Sequence, residues 1–181
     1  MEKREKLSNK VIIILFIIFF VWSLLQVLAP SLLPTGSVKD LSGYAGILDN
    51  EEVIEDIPVP WNFVYGCGDR MCHQKAERSF FINDNQMPFC VRCTAIWIGI
   101  AIGLGFMAFY SIHLNEKFVF VIIIGLIPIG VDGIGQLFGL WESTNIIRLV
   151  TGLLIGVICG ISIGLIIDEI SLFKQFKKNK K

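Results

Sequence analysis

Four runs of apolar residues, each close to the ~20 helical residues that cross a hydrocarbon core, constrain this chain more than any other feature. The first, 11–29, carries no charge. The second, 94–112, and the fourth, 149–167, are bounded by Arg92, Arg148 and Asp168. The third, 118–140, reaches spanning length only with Asp132 and Gln136 inside it. Backbone polar groups in lipid must be satisfied within the spanning segment, so these runs read as helices. The expected fold class is an all-α integral membrane protein, a four-helix transmembrane bundle with a Cys/His-containing loop between the first two spans. A chain that is 54% hydrophobic and 18% charged fits that class and not a soluble domain. The first run outlasts the apolar core of a secretory signal, and Leu28-Ala29-Pro30-Ser31 lacks a small-x-small cleavage site, so it reads as a retained anchor.

Lys and Arg (16) balance Asp and Glu (16), and no stretch combines a basic groove with interleaved aromatics, which excludes nucleic acid as the main partner. Basic residues gather at Lys3, Arg4, Lys6 and Lys10 and again at Lys174, Lys177, Lys178, Lys180 and Lys181. The positive-inside rule therefore places the termini, 1–10 and 168–181, in the cytoplasm of a multi-pass cell-membrane protein. The loop 30–93 and the turn 141–148 then lie outside and the turn 113–117 inside, although Arg78 and Arg92 near the second span pull the other way. Gly152, Gly156, Gly160 and Gly164 form a stripe on the fourth span, and Ala95, Gly99 and Gly103 form one on the second. Such small-residue faces let backbones approach. Membrane lipids, and a second copy of the chain through these stripes, are the expected partners. Pro128 is expected to kink the third helix just before Asp132.

Residues 30–60 carry Pro, Gly, Ser and acids and suggest a mobile lid or a spacer. Beyond Trp61 the composition changes. Four of the five cysteines fall between Cys67 and Cys93, beside His73, and Cys90-x-x-Cys93 has the spacing that turns two sulfurs toward one centre. Zinc takes four N or S ligands, so Cys67, Cys72, His73, Cys90 and Cys93 are candidate ligands, with Cys67 the dispensable one and His73 an alternative to it. Adjacent residues such as Cys72 and His73 do not readily hold the same ion. An external loop also permits disulfides, and a C-x-x-C at a helix mouth suits thiol exchange. Covalent haem on Cys67-x4-Cys72-His73 would need a methionine as second axial ligand, because His113 is expected on the opposite face. Cys159, within the fourth span, reads as a small apolar filler.

A second constellation lies in and beside the membrane. Asp132 and Gln136 share one face of the third helix, and an ionisable residue there marks a pathway or an active site by default. The following turn and helix supply Glu142, Ser143, Thr144, Asn145 and Arg148. Ser143 or Thr144 can cap the fourth helix. An Asp132–Arg148 pair that only locks two helices is the alternative to a ligand-handling pocket.

The run Cys72-His73-Gln74, then Arg78-Ser79-Phe80, Gln86-Met87-Pro88-x-Cys90-x-Arg92-Cys93-Thr94, Asp132-Gly133-x-x-Gln136 and Glu142-Ser143-Thr144-Asn145-x-x-Arg148-x-x-Thr151-Gly152 resembles an uncharacterised family of small predicted membrane proteins of archaea and bacteria. The resemblance spans about residues 65 to 160 and implies architecture and site positions without a reaction. The stretch from Asp132 to Gly156 is also faintly similar to the VanZ-like membrane proteins, with Gly133 where those usually carry a second acid, and hints at cell-envelope lipids.

These readings converge on a zinc site outside the membrane, organised over a polar pocket. If the protein is an enzyme, which the sequence leaves open, Asp132, Gln136, Glu142, Asn145 and Arg148 form the catalytic set. Arg78, Arg92, Ser143 and Thr144 would then bind an anionic, lipid-linked or envelope substrate. The alternative resembles the quinone-coupled enzymes of the vitamin K epoxide reductase type, with Cys90 and Cys93 exchanging with Cys67 and Cys72 and passing electrons to a quinone. A small transporter or partner subunit, with Asp132 as the ion site, is a further alternative.

Overall fold

A computed structural model describes residues 6–110, 112 and 115–179. In chain order the elements are α1 (Lys6–Leu32), α2 (Glu51–Glu55), α3 (Trp61–Met71), a 3-10 turn (Ala76–Arg78), a two-stranded hairpin of β1 (Phe81–Ile82) and β2 (Asn85–Gln86), then α4 (Val91–Phe109), α5 (Glu116–Leu137) and α6 (Asn145–Asn179). Among the described residues four helices are long and apolar enough to cross a membrane: Ser8–Leu32, Val91–Phe109, Glu116–Leu137 and Asn145–Lys174. The protein is an all-α membrane bundle.

The helices begin and end where local chemistry permits, and this differs from the limits that charges suggest. α4 starts at Val91, so Arg92 and Cys93 sit in its first turn. α6 starts at Asn145, because the Thr144 hydroxyl accepts the Ile147 N–H at 3.3 Å and caps it. Beyond Asp168 it continues through residues of good helix propensity to Asn179. Asn115 caps α5 in the same way, accepting the Phe118 N–H at 2.8 Å. α5 runs unbroken through Pro128.

The chain forms two compact units. One comprises Met1–Phe20, Ile96–Glu142 and Leu153–Lys181. Its core joins Ile12, Leu104, Met107 and Leu165, and the Ser8 hydroxyl donates to the Asp168 carboxylate. α4 and α6 meet there backbone to backbone: a Cβ on Gly99 would stand 2.6 Å from the Leu153 carbonyl oxygen, and one on Gly156 would stand 2.8 Å from the Gly99 Cα. Only glycine permits this approach. The two small-residue stripes therefore pack on each other inside one chain, as a packing seam of the bundle. Val121, Ile123, Ile124, Ile127 and Val131 of α5 remain exposed, an apolar surface suited to lipid.

The other unit comprises Val21–Ala95 and Ser143–Gly152. Its core gathers Ala29, Leu33, Val38, Leu41, Ile57, Val64 and Tyr65. Residues 30–60 contribute to this core: Val38, Leu41 and Ile57 are each about 5% exposed or less. What orders this stretch is a pair of buried amides. The Asn85 side chain accepts the Val38 N–H at 2.9 Å and donates to the Pro30 and Pro34 carbonyls at 3.0 Å each. The Gln86 side chain accepts the Leu41 N–H at 2.9 Å and donates to the Leu41 carbonyl at 3.2 Å. Every donor and acceptor so satisfied would otherwise cost about 1–3 kcal/mol in the buried state.

Candidate metal centre

The centre is assembled from the end of one helix and the start of another. Cys72 closes α3 in an extended conformation (φ −141°, ψ 151°), its N–H still bonded to the Gly68 carbonyl at 2.9 Å. Cys90 precedes α4 and gives its carbonyl to the Thr94 N–H at 3.0 Å, the first helical bond. The C-x-x-C spacing then brings Cys93 round on the first turn. The three sulfurs of Cys72, Cys90 and Cys93 lie within 4.8 Å of one another. The Cys90 backbone N–H also donates to Cys72 Sγ at 3.3 Å.

Several buried groups hold the two ends in register. Gln74 Nε2 donates to the Pro88 carbonyl at 2.8 Å, joining the turn after Cys72 to the turn before Cys90. Gln86 Nε2 donates to the Gln74 carbonyl, and the Tyr65 hydroxyl donates to the Gln86 carbonyl at 2.6 Å. Gln74, Gln86 and Tyr65 have essentially no solvent exposure. Burial raises the Tyr65 phenol far above its ordinary value, so it stays a neutral donor. Phe89 packs with Cys72 and Cys90 in one buried cluster, and the Trp22 ring meets Phe89 edge-on at 6.0 Å.

The charge state of the thiols follows from their contacts. Hydrogen bonds from the Cys90 and Cys93 thiols draw the Cys72 thiol well below its usual range. Cys90, bonded toward the Cys72 sulfur, is pushed up. Adjacent sulfurs that share protons in this way present the donor set a divalent ion replaces those protons on.

Of the five expected ligands, the structure brings together Cys72, Cys90 and Cys93 and leaves two out of the group. Cys67, on α3, packs against the buried cluster of Cys72, Phe89 and Cys90 without joining the three sulfurs. His73 is half-buried, and its Nδ1 accepts the Lys75 backbone N–H at 3.1 Å. Burial lowers its basicity, opposed by the Cys72 charge. His113, which the haem reading places opposite, lies outside the described residues.

The remaining expected residues divide between the two units. Asp132, Gln136 and Glu142 belong to the first. There Asp132 is buried and accepts from Gln136 Nε2 at 3.0 Å and from Trp141 Nε1 at 3.4 Å, while Glu142 is exposed. Arg78, Arg92, Ser143, Thr144, Asn145 and Arg148 belong to the second, with the cysteines. Arg148 is buried and donates to the Asn145 side chain at 3.0 Å, and Arg78 faces Glu77 at 3.9 Å. Ser143 donates to the Thr144 carbonyl at 3.4 Å. The Arg92 carbonyl lies against α6, 2.7 Å from a Cβ placed on Gly152.

A further buried polar residue was not anticipated. Gln26, in α1, is fully buried, and its side-chain amide has no hydrogen-bond partner among the described residues. Pro30, four residues on, supplies no N–H to its backbone carbonyl. A lone amide inside an apolar spanning run was the available signal.

The family of predicted membrane proteins known as DUF2085 matches residues 72–163. The chain belongs to that family. As a DUF2085 protein it is 36% identical over 125 residues to the uncharacterized protein MJ1492 of Methanocaldococcus jannaschii, covering 65% of this chain and 78% of that one. It is 33% identical over 87 residues to an uncharacterized protein of Methanothermobacter thermautotrophicus, covering 48% of this chain and 78% of that one. No solved structure matches the chain. The DUF2085 match opens at Cys72 and takes in Cys90, Cys93, Asp132 and Arg148, with Cys67 before its start.

Proposed function

We propose that this DUF2085 protein is a multi-pass membrane protein that holds a zinc ion on Cys72, Cys90 and Cys93 at the extracytoplasmic mouth of α4. The observation that carries the reading is the approach of those three sulfurs to within 4.8 Å of one another. Zinc suits all-sulfur sites and would supply a Lewis-acidic centre there. Arg78 and Arg92, in the same unit as the cysteines, are assigned to an anionic headgroup of an envelope or lipid-linked substrate, with Ser143 and Thr144 as further contacts. Asp132 with Gln136 is assigned a polar function of its own in the other unit. Both termini are placed in the cytoplasm on the strength of the basic ends.

The test is metal content and free-thiol count on one anaerobically purified sample, with and without Cys90→Ser and Cys93→Ser. Zinc near one equivalent per chain, absent from both variants, supports the reading. Metal-free protein whose thiols oxidise reversibly in pairs and respond to added quinone supports the thiol–disulfide alternative instead. That alternative has Cys90 and Cys93 exchange with Cys67 and Cys72, and it is less well supported because Cys67 stands outside the group of three sulfurs.

A further inference from the structure

We infer that the three-cysteine centre leaves one coordination position of its metal to a ligand from outside the chain, and that this ligand is a small zwitterionic thiol entering by the groove between α2 and α3. The inference rests on the metal reading above and goes beyond it by naming what the site takes.

Zinc sites with a structural role are closed by four protein ligands, and sites that act on a ligand keep one position open. Here three sulfurs converge. The two other candidates are near and do not join them: Cys67 stands outside the 4.8 Å group, and His73 Nδ1 is engaged by the Lys75 N–H at 3.1 Å. A divalent ion with three thiolates carries net negative charge. Such an electron-rich centre polarises water weakly, and a fourth sulfur completes the all-sulfur set that zinc readily accepts. The incoming thiol loses its proton to solvent on binding.

The groove supplies the route and the selectivity. It encloses about 460 Å³, within the ~300–1,000 Å³ range typical of small-molecule sites. Cys67 lines it and also packs against the buried cluster of Cys72, Phe89 and Cys90, so the groove opens beside the centre. Glu51 and Glu55, one helical turn apart on α2, face the groove with Arg70 of α3. Two carboxylates and a guanidinium around one opening suit an ammonium and a carboxylate borne by the same molecule. Phe63 and Ile54 supply apolar wall to the same groove. An aminothiol acid of the size of cysteine meets all three requirements.

The experiment uses the full chain in detergent, loaded anaerobically with cobalt, whose sulfur charge-transfer and ligand-field bands report the donor set. X-ray absorption on the same sample counts sulfurs. Three sulfurs and one light atom are expected before addition. L-cysteine should then raise the charge-transfer intensity by about one third, as three sulfurs become four, with cobalt still eluting with the protein. L-serine should leave the spectrum unchanged. Cys67→Ser should keep the three-sulfur starting spectrum, His73→Ala should keep both the starting spectrum and the response, and Glu51→Gln with Glu55→Gln should raise the cysteine concentration for half response about tenfold. Four sulfurs before any addition, falling to three in Cys67→Ser, would assign the fourth place to Cys67 and overturn the inference. So would a spectrum altered by His73→Ala, the absence of any response to L-cysteine, or release of cobalt to it. Failure of the unmutated protein to take up cobalt or zinc at all would instead overturn the metal reading beneath it.

Discussion

Gln74 donates through Nε2 to the carbonyl of Pro88 at 2.8 Å, and this one bond links the segment that carries Cys72 to the segment that carries Cys90. Both groups are buried. Replacing Gln74 by Leu keeps the volume approximately and leaves the Pro88 carbonyl without its donor, a loss of about 1–3 kcal/mol. Gln74→Leu should lower the thermal midpoint in detergent and weaken metal retention together. A variant with normal midpoint and normal metal would show that Gln74 does not set the spacing of the cysteines.

The same contact makes a sharp distinction between two glycines of α3. A Cβ on Gly68 would meet the Pro88 carbonyl and stand 2.7 Å from Gln74 Nε2, whereas one on Gly66 would meet only Ile54 Cγ2 at 3.9 Å. Gly68→Ala should therefore destabilise the chain and disperse the three thiols. Gly66→Ala should be neutral or stabilising by about 0.5–1 kcal/mol, the helix-interior advantage of Ala over Gly. Thermal unfolding of the two variants side by side decides it.

The spans were legible because lipid imposes a minimum length of apolar helix, and no tertiary contact is needed to read that from Val11–Ala29 or Leu149–Ile167. Cys72, Cys90 and Cys93 were legible because C-x-x-C spacing and a nearby third sulfur restrict what those residue types do. The glycine stripes showed in the sequence, but their partner did not: that Gly99 faces Gly156 is a fact of packing between segments far apart in the chain. Residues 30–60 were illegible for a related reason. Their order comes from Asn85 and Gln86, side chains more than forty residues away, and a polar, proline-containing stretch with remote partners looks like one with none. Gln26 was passed over because hydropathy averaging hides a single amide in an apolar run.

The α4–α6 seam makes a prediction on stability that is independent of the metal. Gly156→Val would place a branched side chain against Gly99 Cα, 2.8 Å from the first added carbon, and against the Ile96 carbonyl. Such overpacking costs roughly 1–3 kcal/mol or more. Gly133→Ala and Gly130→Ala on α5, where an added Cβ meets nothing within 4 Å, should be tolerated. Yield of monodisperse protein and thermal midpoint in detergent report the difference, and equal behaviour of the two sets would remove the seam as the contact that joins α4 to α6.

Tyr65 supplies a test by pH. Burial raises its folded-state pKa above the unfolded value, about 10. For a group raised on folding, the neutral form is favoured in the native state, so the stabilisation is complete below the unfolded pKa. As pH rises above about 10 the unfolded chain ionises at Tyr65 while the folded chain does not, and stability falls by up to about 1.4 kcal/mol for each further pH unit until the folded pKa is reached. Tyr65→Phe removes both that titration and the hydrogen bond to the Gln86 carbonyl. The variant should be less stable than the parent at pH 8, and the gap should narrow steadily between pH 10 and 11. A gap that stays constant across that range would mean that the Tyr65 hydroxyl ionises as an exposed phenol does, and that the buried network around Gln86 opens before the chain unfolds.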